Sequence, residues 1–206
     1  MTTQAKPQGF DIYIVGVGGQ GVLTIADFIC QAAMDAGMAV SFFPTKGMAQ
    51  RGGFVKAQLR IGKPGYGPSL PEGSADMAIA MERSEALKAL RFLKPDGEFI
   101  LYGGVWQPTA VMLKKAPYPE ADEVKAVIRE QGARLIYGEH QDIPLYEGAP
   151  VRENLFALGL AVGNSKLGAL ISPEVIAGLI EQKWPKVVAA NLLAFRSGVA
   201  LAQKQG

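Results

Sequence analysis

At 206 residues the chain is long enough to bury one hydrophobic core, and 49% of its residues are hydrophobic while 19% are charged. The formal net charge of +2 excludes the strongly basic proteins that bind nucleic acid or anionic membranes. The sequence has one cysteine and one histidine, so it has no disulfide framework. These two residues are also too few for this chain alone to bind a zinc ion or an iron–sulfur cluster with the usual number of ligands.

The first part of the chain predicts a β–loop–α–β unit. Residues 11–15 form a short β-branched apolar run that is typical of a strand buried on both faces. A glycine loop follows, and apolar residues at helical spacing then predict a helix over 22–36, which Gly37 ends. Residues 40–43 predict a second strand, so this segment has the element order with which a Rossmann-like fold begins.

The next segment departs from simple alternation of strands and helices. Residues 54–61 alternate between apolar and polar side chains, which predicts a strand. Only about ten residues separate it from the second strand, whereas a parallel crossover needs a dozen or more. We therefore expect at least one antiparallel neighbour in a mixed sheet.

In the rest of the chain, predicted strands and helices alternate again, and the last quarter is predicted to be helical. Strands are predicted at 77–81, 98–102 and 134–137, and helices at 84–93, 120–131, 152–167, 173–183 and 185–203. Ser84 is the expected N-cap of its helix, and 94–97 is expected to be a turn. The whole chain, 1–206, is expected to form a single α/β domain. We expect a three-layer Rossmann-like fold with a mostly parallel mixed sheet and a helical C-terminal quarter.

The first glycine loop is Gly16-Val17-Gly18-Gly19-Gln20-Gly21. The spacing of Gly16, Gly18 and Gly21 matches a dinucleotide fingerprint, in which glycines permit a tight turn, a close approach of the ligand and close helix packing. The alternative is a tight strand–helix turn that binds no phosphate. Gln20 adds an amide for a neighbouring group or subunit.

The sequence lacks the carboxylate that an NAD site usually has about 20 residues after the loop. The second strand leads instead into Pro44-Thr45-Lys46. Lys46 or Arg51 could hold the 2′-phosphate of NADP, so a free-standing NADP-dependent oxidoreductase with Tyr102 or His140 as proton donor is one hypothesis. A nucleotide-binding or coenzyme A-binding regulatory module without a reaction is another.

The second glycine loop is Gly47-Met48-Ala49-Gln50-Arg51-Gly52-Gly53. Small neighbours let the planar guanidinium of Arg51 face a carboxylate or phosphate, while Met48 offers an adaptable apolar contact. The alternative is an ordinary turn with a solvated Arg51. Among other candidates, Glu82 could contact a ligand or partner, Cys30 is expected in the core, and His140 at the surface.

The two loops together resemble the gamma-type domain of 2-oxoacid:ferredoxin oxidoreductases, and within it most of all the small (beta) subunit of indolepyruvate ferredoxin oxidoreductase. The resemblance continues through Ala75 to Leu87, Asn154 to Leu170 and Asn191 to Phe195, and thus covers nearly the whole chain.

The resemblance implies oxidative decarboxylation of a 2-oxoacid to an acyl-CoA by a complex that uses thiamine diphosphate and passes electrons through iron–sulfur clusters to ferredoxin. It places the thiamine and the clusters in a large partner subunit, so this chain alone has no catalytic residue, metal or firmly bound cofactor, and coenzyme A enters as cosubstrate. Gln50, Arg51, Gly52 and Gly53 would lie at the subunit interface near the active-site cleft. The family often has a histidine where this chain has Lys46, which leaves the 2-oxoacid open, with indolepyruvate or another arylpyruvate expected first.

The residues expected to bind a cofactor or face the active site are Gly16, Gly18, Gly19, Gln20, Gly21, Lys46, Gly47, Met48, Gln50, Arg51, Gly52, Gly53 and Glu82. When isolated, the chain could form a homodimer. No apolar run reaches the roughly 20 residues of a membrane span, and residues 1–10 lack the apolar segment of a signal peptide. We therefore expect a cytoplasmic protein that contacts neither membrane nor nucleic acid.

Overall fold

A computed structural model describes residues 9–46, 53–63, 67, 69–107, 109–114 and 117–205, without the side chains of 46, 109 and 110. Its strands are β1 (Phe10–Val17), β2 (Val40–Lys46), β3 (Phe54–Ile61), β4 (Ala75–Ala80), β5 (Leu93–Tyr102), β6 (Arg134–Gly138), β7 (Leu145–Tyr146) and β8 (Ala149–Pro150). Its helices are α1 (Val22–Asp35), α2 (Arg83–Ala89), α3 (Thr109–Met112), α4 (Ala121–Glu130), α5 (Glu153–Gly163), α6 (Lys166–Leu170), α7 (Pro173–Lys183) and α8 (Val188–Gln203).

The main sheet has six strands in the order β2-β3-β1-β4-β5-β6. Strands β1, β4, β5 and β6 run parallel, whereas β3 is antiparallel to both β1 and β2. The expected antiparallel strand in a mixed sheet is therefore confirmed. The ends of β1, β2, β4, β5 and β6 and the start of β3 lie at one edge, which we call the carboxyl edge, and the opposite edge is the amino edge.

Helices cover both faces of this sheet, which gives the expected three layers. Ile12 and Ile14 of β1 pack on the larger core, to which α1, α5, α7 and α8 contribute. Tyr13 and Val15 point to the other face and pack on a smaller core formed with α2 and α4. Because successive side chains of a strand point to opposite faces of the sheet, the apolar residues of β1 are shared between two cores.

The helical C-terminal quarter is held by close packing of α5 against α8. A Cβ atom at Gly159 would overlap the carbonyl oxygen of Phe195, and one at Gly198 would overlap that of Phe156. Any larger side chain at these two positions would push the helices apart. None of the described helices is long and apolar enough to cross a membrane.

Several predicted boundaries are wrong, and local hydrogen bonding explains why. The predicted helix over 152–167 divides, because the Ser165 side chain accepts from the Gly168 N–H and caps a new helix. Residues 94–97 form a bulge within β5, with Asp96 at a φ of 59°, and no chain reversal occurs there. The Ser84 hydroxyl caps no helix and donates to the Glu82 carboxylate, which is the actual cap of α2.

Candidate functional site

The first glycine loop lies at the point where the chain changes direction across the sheet. From β1 the chain passes through α1 to β2 on one side, and after β3 it crosses to β4 on the other side. In open α/β sheets, ligands usually bind in the crevice at such a switch point. Here Gln20, only 3% exposed, fills it: its Oε1 accepts from the Val17 N–H at 2.8 Å and its Nε2 donates to the Met81 carbonyl at 2.7 Å.

The glycines around Gln20 accommodate side chains of this same protein. Gly21 adopts a φ of 78°, and a Cβ there would overlap the buried Asn154 side chain, which covers the start of α1. A Cβ at Gly16 would lie 2.9 Å from Oε1 of Gln20. This packing favours the tight-turn interpretation of the loop over a cradle for a pyrophosphate.

The described ends of the second glycine loop lie beside the first loop. The Gly18 N–H donates to the Gly53 carbonyl at 2.8 Å, and Val17 pairs with Phe54 in the sheet. The expected site residues Gly47, Met48, Gln50, Arg51 and Gly52, and the side chain of Lys46, lie outside the described part of the chain. Both loops therefore meet at the carboxyl edge, as far as their described residues extend.

Glu82, one of the residues expected to face the active site, caps α2 in the structure. Its side chain is fully buried, and one carboxylate oxygen accepts from the Ser84 hydroxyl at 2.6 Å and the Glu85 N–H at 3.0 Å. The other oxygen accepts from the Tyr118 hydroxyl at 2.5 Å. Both oxygens are occupied within the chain, so the carboxylate caps α2 and anchors Tyr118.

An open cleft of about 530 Å³ lies beside the first loop, where β5, β6 and the start of α5 meet. Its walls include Gln20, Arg83, Tyr102, Trp106, His140 and Glu153. Half-buried Arg83 donates from Nε to the Gly103 carbonyl at 3.3 Å and pairs with no carboxylate among the described residues. The cleft thus presents a cation, an indole ring and a hydroxyl–imidazole pair at one place.

Tyr102 and His140, the two proton donors named for the NADP hypothesis, are neighbours in this cleft. The Tyr102 hydroxyl lies 3.3 Å from Nδ1 of His140, and His140 is exposed, as expected. Burial, and then the Glu153 carboxylate beside it, raises the pKa of Tyr102 well above its ordinary value. The phenol therefore stays protonated further into the alkaline range than a free tyrosine, so it can donate a hydrogen bond but is a poor proton donor in a reaction.

Sequence reasoning missed Arg83 and Glu153 as members of this cleft. Arg83 comes three residues after the end of the buried strand β4, and a charged residue that soon after a strand is a usable signal for the carboxyl edge. Glu153 is distant in sequence, and no local pattern connects it with Tyr102.

An exposed apolar segment follows β5 at the same edge. Val105, Trp106, Met112 and Leu113 are all exposed, and the Trp106 ring lies next to Gly19 of the first loop. Consecutive exposed apolar residues beside a cleft are typical of an interaction surface. The described residues contain no group of three or more His, Cys, Asp or Glu side chains placed to share a metal ion.

The model of the pyruvate ferredoxin/flavodoxin oxidoreductase family matches residues 11–201. The chain belongs to this family. Among curated relatives, the indolepyruvate oxidoreductase subunit IorB of Methanothermobacter thermautotrophicus is 33% identical over 193 residues, which are 94% of this chain and 97% of the relative. The IorB of Archaeoglobus fulgidus is 37% identical over 188 residues, which are 91% and 92% of the two chains.

Solved structures of the family share the fold. Subunit PORC of the Thermotoga maritima pyruvate oxidoreductase superposes with a TM-score of 0.66 at 22% identity, covering 94% of this chain and 96% of that one. A 2-oxoglutarate:ferredoxin oxidoreductase from Magnetococcus marinus, with 2-oxoglutarate, coenzyme A and succinyl-CoA bound, superposes with a TM-score of 0.65 at 22% identity. That match covers 96% of this chain and 31% of the other, so this fold is one part of a larger chain there. The expected family and α/β fold are confirmed.

Proposed function

We propose that this chain is the small subunit of an indolepyruvate-type 2-oxoacid:ferredoxin oxidoreductase. The complex would convert indolepyruvate, or another arylpyruvate, to its acyl-CoA by oxidative decarboxylation and pass the electrons to ferredoxin. The observation that carries the proposal is near full-length similarity, 32–37% identity, to four IorB subunits.

In this proposal, thiamine diphosphate and the iron–sulfur clusters bind to a large partner subunit. When bound there, they supply the decarboxylation and electron-transfer chemistry. The single cysteine of this sequence is buried in α1 and cannot furnish the thiolates of a cluster. The switch-point crevice is filled by Gln20, and Asn154 covers the start of α1, so these residues do not fit a diphosphate there.

The small subunit would contribute the surface of its carboxyl edge to the active-site region. The exposed apolar side chains beside Trp106 suit an interface with another protein, since obligate interfaces are rather apolar. Arg51, expected from the resemblance at the subunit interface, would offer donors to a carboxylate or to coenzyme A. The filled crevice removes the main support for a free-standing NADP enzyme.

Anaerobic co-expression with an indolepyruvate-type large subunit from the same organism tests the proposal. The purified complex should oxidise arylpyruvates in the presence of coenzyme A and ferredoxin, and neither subunit alone should do so. A large subunit that does not co-purify with this chain, or a complex inactive on every 2-oxoacid of a broad panel, would contradict it.

The Arg51→Gln variant tests whether Arg51 contributes to the activity of the complex at the proposed interface. We expect kcat/KM of the complex to fall by about tenfold or more, the size of one lost charge-assisted hydrogen bond. Arg196→Gln, the same change at an exposed position of α8, is the matched control and should leave kcat/KM unchanged.

A further inference from the structure

A small open cavity lies on the face of the sheet that carries the smaller core. It holds about 280 Å³, and its described lining residues are Tyr13, Phe54, Lys56, Lys88 and Arg91. Helix α2 packs over β1 and β4 on this face, and the cavity lies beside it, next to the first part of β3. Pockets for drug-sized ligands begin at about 300 Å³, so this cavity suits one small group. The proposed function gives it no role.

Tyr13 lines this cavity from the side of the sheet and is held firmly in place. Its side chain belongs to the smaller core, and the residue is only 2% exposed. The ring stacks on that of Phe92, with 4.0 Å between the ring centroids and 11° between the ring planes. Stacking of this kind fixes the direction of the phenol before any ligand binds.

The Tyr13 hydroxyl makes no hydrogen bond with a described residue, although the side chain is buried. Among the described residues, Nδ2 of Asn191 is the single side-chain N or O atom that is both fully enclosed and unpaired. The Tyr13 oxygen is therefore unpaired without being enclosed, and it opens into the cavity that its side chain lines. Because buried tyrosine hydroxyls usually have a partner, this one indicates that an acceptor enters the cavity.

The charges around the cavity favour an anionic acceptor. Lys88 pairs with Glu85 at 2.9 Å, and Arg91 lies 3.6 Å from Glu72. Half-buried Lys56 forms no ion pair with a described carboxylate. Three cations therefore face two carboxylates, and none of the described lining residues is acidic. The charge of Lys56 is left for a ligand to balance.

The nearest of these charges act on the Tyr13 phenol itself. Burial raises the pKa of Tyr13, the positive charge of Arg91 opposes that rise, and the negative charge of Glu85 adds to it. Arg91 is thus close enough to the phenol for both to contact one small ligand. With its raised pKa the phenol remains a hydrogen-bond donor at neutral pH.

We propose that this cavity binds an oxyanion, the carboxylate or phosphate group of a small molecule. The Tyr13 hydroxyl donates to one of its oxygens, and the Lys56 ammonium balances its charge. Lys88 and Arg91, both largely exposed, attract the anion from solvent. The Phe54 ring, 5.8 Å from the Lys88 ammonium, supplies an apolar wall. A carboxylate of the partner subunit has the same chemistry and is the other source of such an oxyanion.

Titration of the full chain with inorganic phosphate at constant ionic strength tests this site without any partner, so its outcome is independent of the proposed function. The chain carries ¹³C-labelled tyrosine and ¹⁵N-labelled amides, and the Cζ resonance of Tyr13 reports hydrogen bonding of its hydroxyl. We expect saturable chemical-shift changes at Tyr13 Cζ and at the backbone amides of Lys56 and Arg91. Tyr146 in β7, outside the cavity, is the internal reference and should not change.

Tyr13→Phe removes the hydroxyl and keeps the ring that stacks on Phe92. It should weaken phosphate binding by about tenfold or more, the size of one lost hydrogen bond to a charged group. Because the hydroxyl has no partner among the described residues, the thermal midpoint of the variant should equal that of the wild type. Tyr146→Phe is the matched control and should bind phosphate like the wild type.

Lys56→Gln tests the charge that the site leaves unbalanced. It should also weaken phosphate binding by about tenfold, whereas Lys204→Gln, at the exposed end of α8, should not. If Tyr13→Phe fails to fold, Lys56→Gln replaces it as the deciding variant. Absence of saturable changes at Tyr13 in the wild type, or wild-type phosphate affinity in the deciding variant, would overturn the proposal.

Repeating the titration on the assembled complex distinguishes the two sources of the oxyanion. Phosphate shifts that persist in the complex assign the cavity to a free small molecule. Shifts that disappear on assembly, together with weaker assembly of Lys56→Gln, assign it to a carboxylate of the partner.

Discussion

At the amino edge of the sheet, buried carboxylates are paired with cations of the same chain, whereas at the carboxyl edge Arg83 in the cleft beside the first loop pairs with no carboxylate among the described residues. Asp11 accepts from Arg60 at 3.1 Å and from Lys63 at 2.7 Å. Asp76 pairs with Lys94, and Glu98 with Arg134 at 3.0 Å. These pairs join neighbouring strands where β1, β4, β5 and β6 begin and where the antiparallel β3 ends.

The carboxyl edge uses close packing and hydrogen bonds from uncharged donors for the same purpose. Gln20 bridges β1 and β4 there, and Glu82 is held by hydroxyl and N–H donors. Arg83 and Arg152 pair with no described carboxylate. The difference indicates that charge at the amino edge serves the fold, while charge at the carboxyl edge is available for binding.

Removing a carboxylate from the amino edge should have the largest effect on stability. Asp11→Ala removes the buried carboxylate that contacts both Arg60 and Lys63, and breaking a buried pair in this way costs about 3–5 kcal/mol of unfolding free energy. Asp122→Ala, which breaks an exposed pair with Lys125, should leave the unfolding free energy almost unchanged. Urea unfolding measures both, and equal losses would show that the amino-edge pairs do not hold the strands.

Crowding the turn at the carboxyl edge should have a somewhat smaller effect. Gly21→Ala adds a Cβ at positive φ and against Asn154, which should cost about 3 kcal/mol. Gly37→Ala is the matched control, with a φ of 74° and nothing within 4 Å of the added Cβ, and should cost about 1 kcal/mol. If the two variants unfold at the same denaturant concentration, packing against Asn154 contributes nothing.

The smallest expected effect concerns Tyr102 and high pH. Tyr102→Phe loses the contact with His140 and should cost about 1 kcal/mol at neutral pH. The pKa of Tyr102 is raised in the folded state, so the unfolded chain ionises first, and wild-type stability falls as pH rises above the ordinary tyrosine value of 10.0.

The stability of Tyr102→Phe should fall less steeply at alkaline pH than that of the wild type. One such group contributes at most about 1.4 kcal/mol per pH unit, and Tyr102→Phe should reduce the slope by up to that amount. Unfolding titrations at neutral and alkaline pH measure it. An unchanged slope in the variant would show that Tyr102 ionises as easily in the folded protein as in the unfolded one.

Much of the fold could be predicted from the sequence because hydrophobic periodicity reports which face of an element is buried. Residues 54–61 alternate, and the short connection before them predicted the antiparallel strand that the structure contains. Helix ends were less predictable, since Glu82 and Ser84 compete for the same cap and only the three-dimensional arrangement decides between them.

The candidate site was predicted only in part. The glycine spacing located the turn correctly but could not reveal that Gln20 fills the crevice, since its acceptor, the Met81 carbonyl, lies 61 residues away. The open hydroxyl of Tyr13 likewise depends on what lies around it in space. Short sequence patterns therefore predict where the backbone turns. They do not predict which side chain fills a crevice, because that depends on residues distant in the sequence.

Hydrogen–deuterium exchange on the chain, alone and in complex with its large subunit, tests most directly whether the carboxyl edge is the binding edge. We expect slower exchange in the complex at residues 16–21 and 102–107, with no change at 60–63 and 94–98 of the amino edge. Protection confined to the amino edge, with the carboxyl edge unchanged, would contradict it.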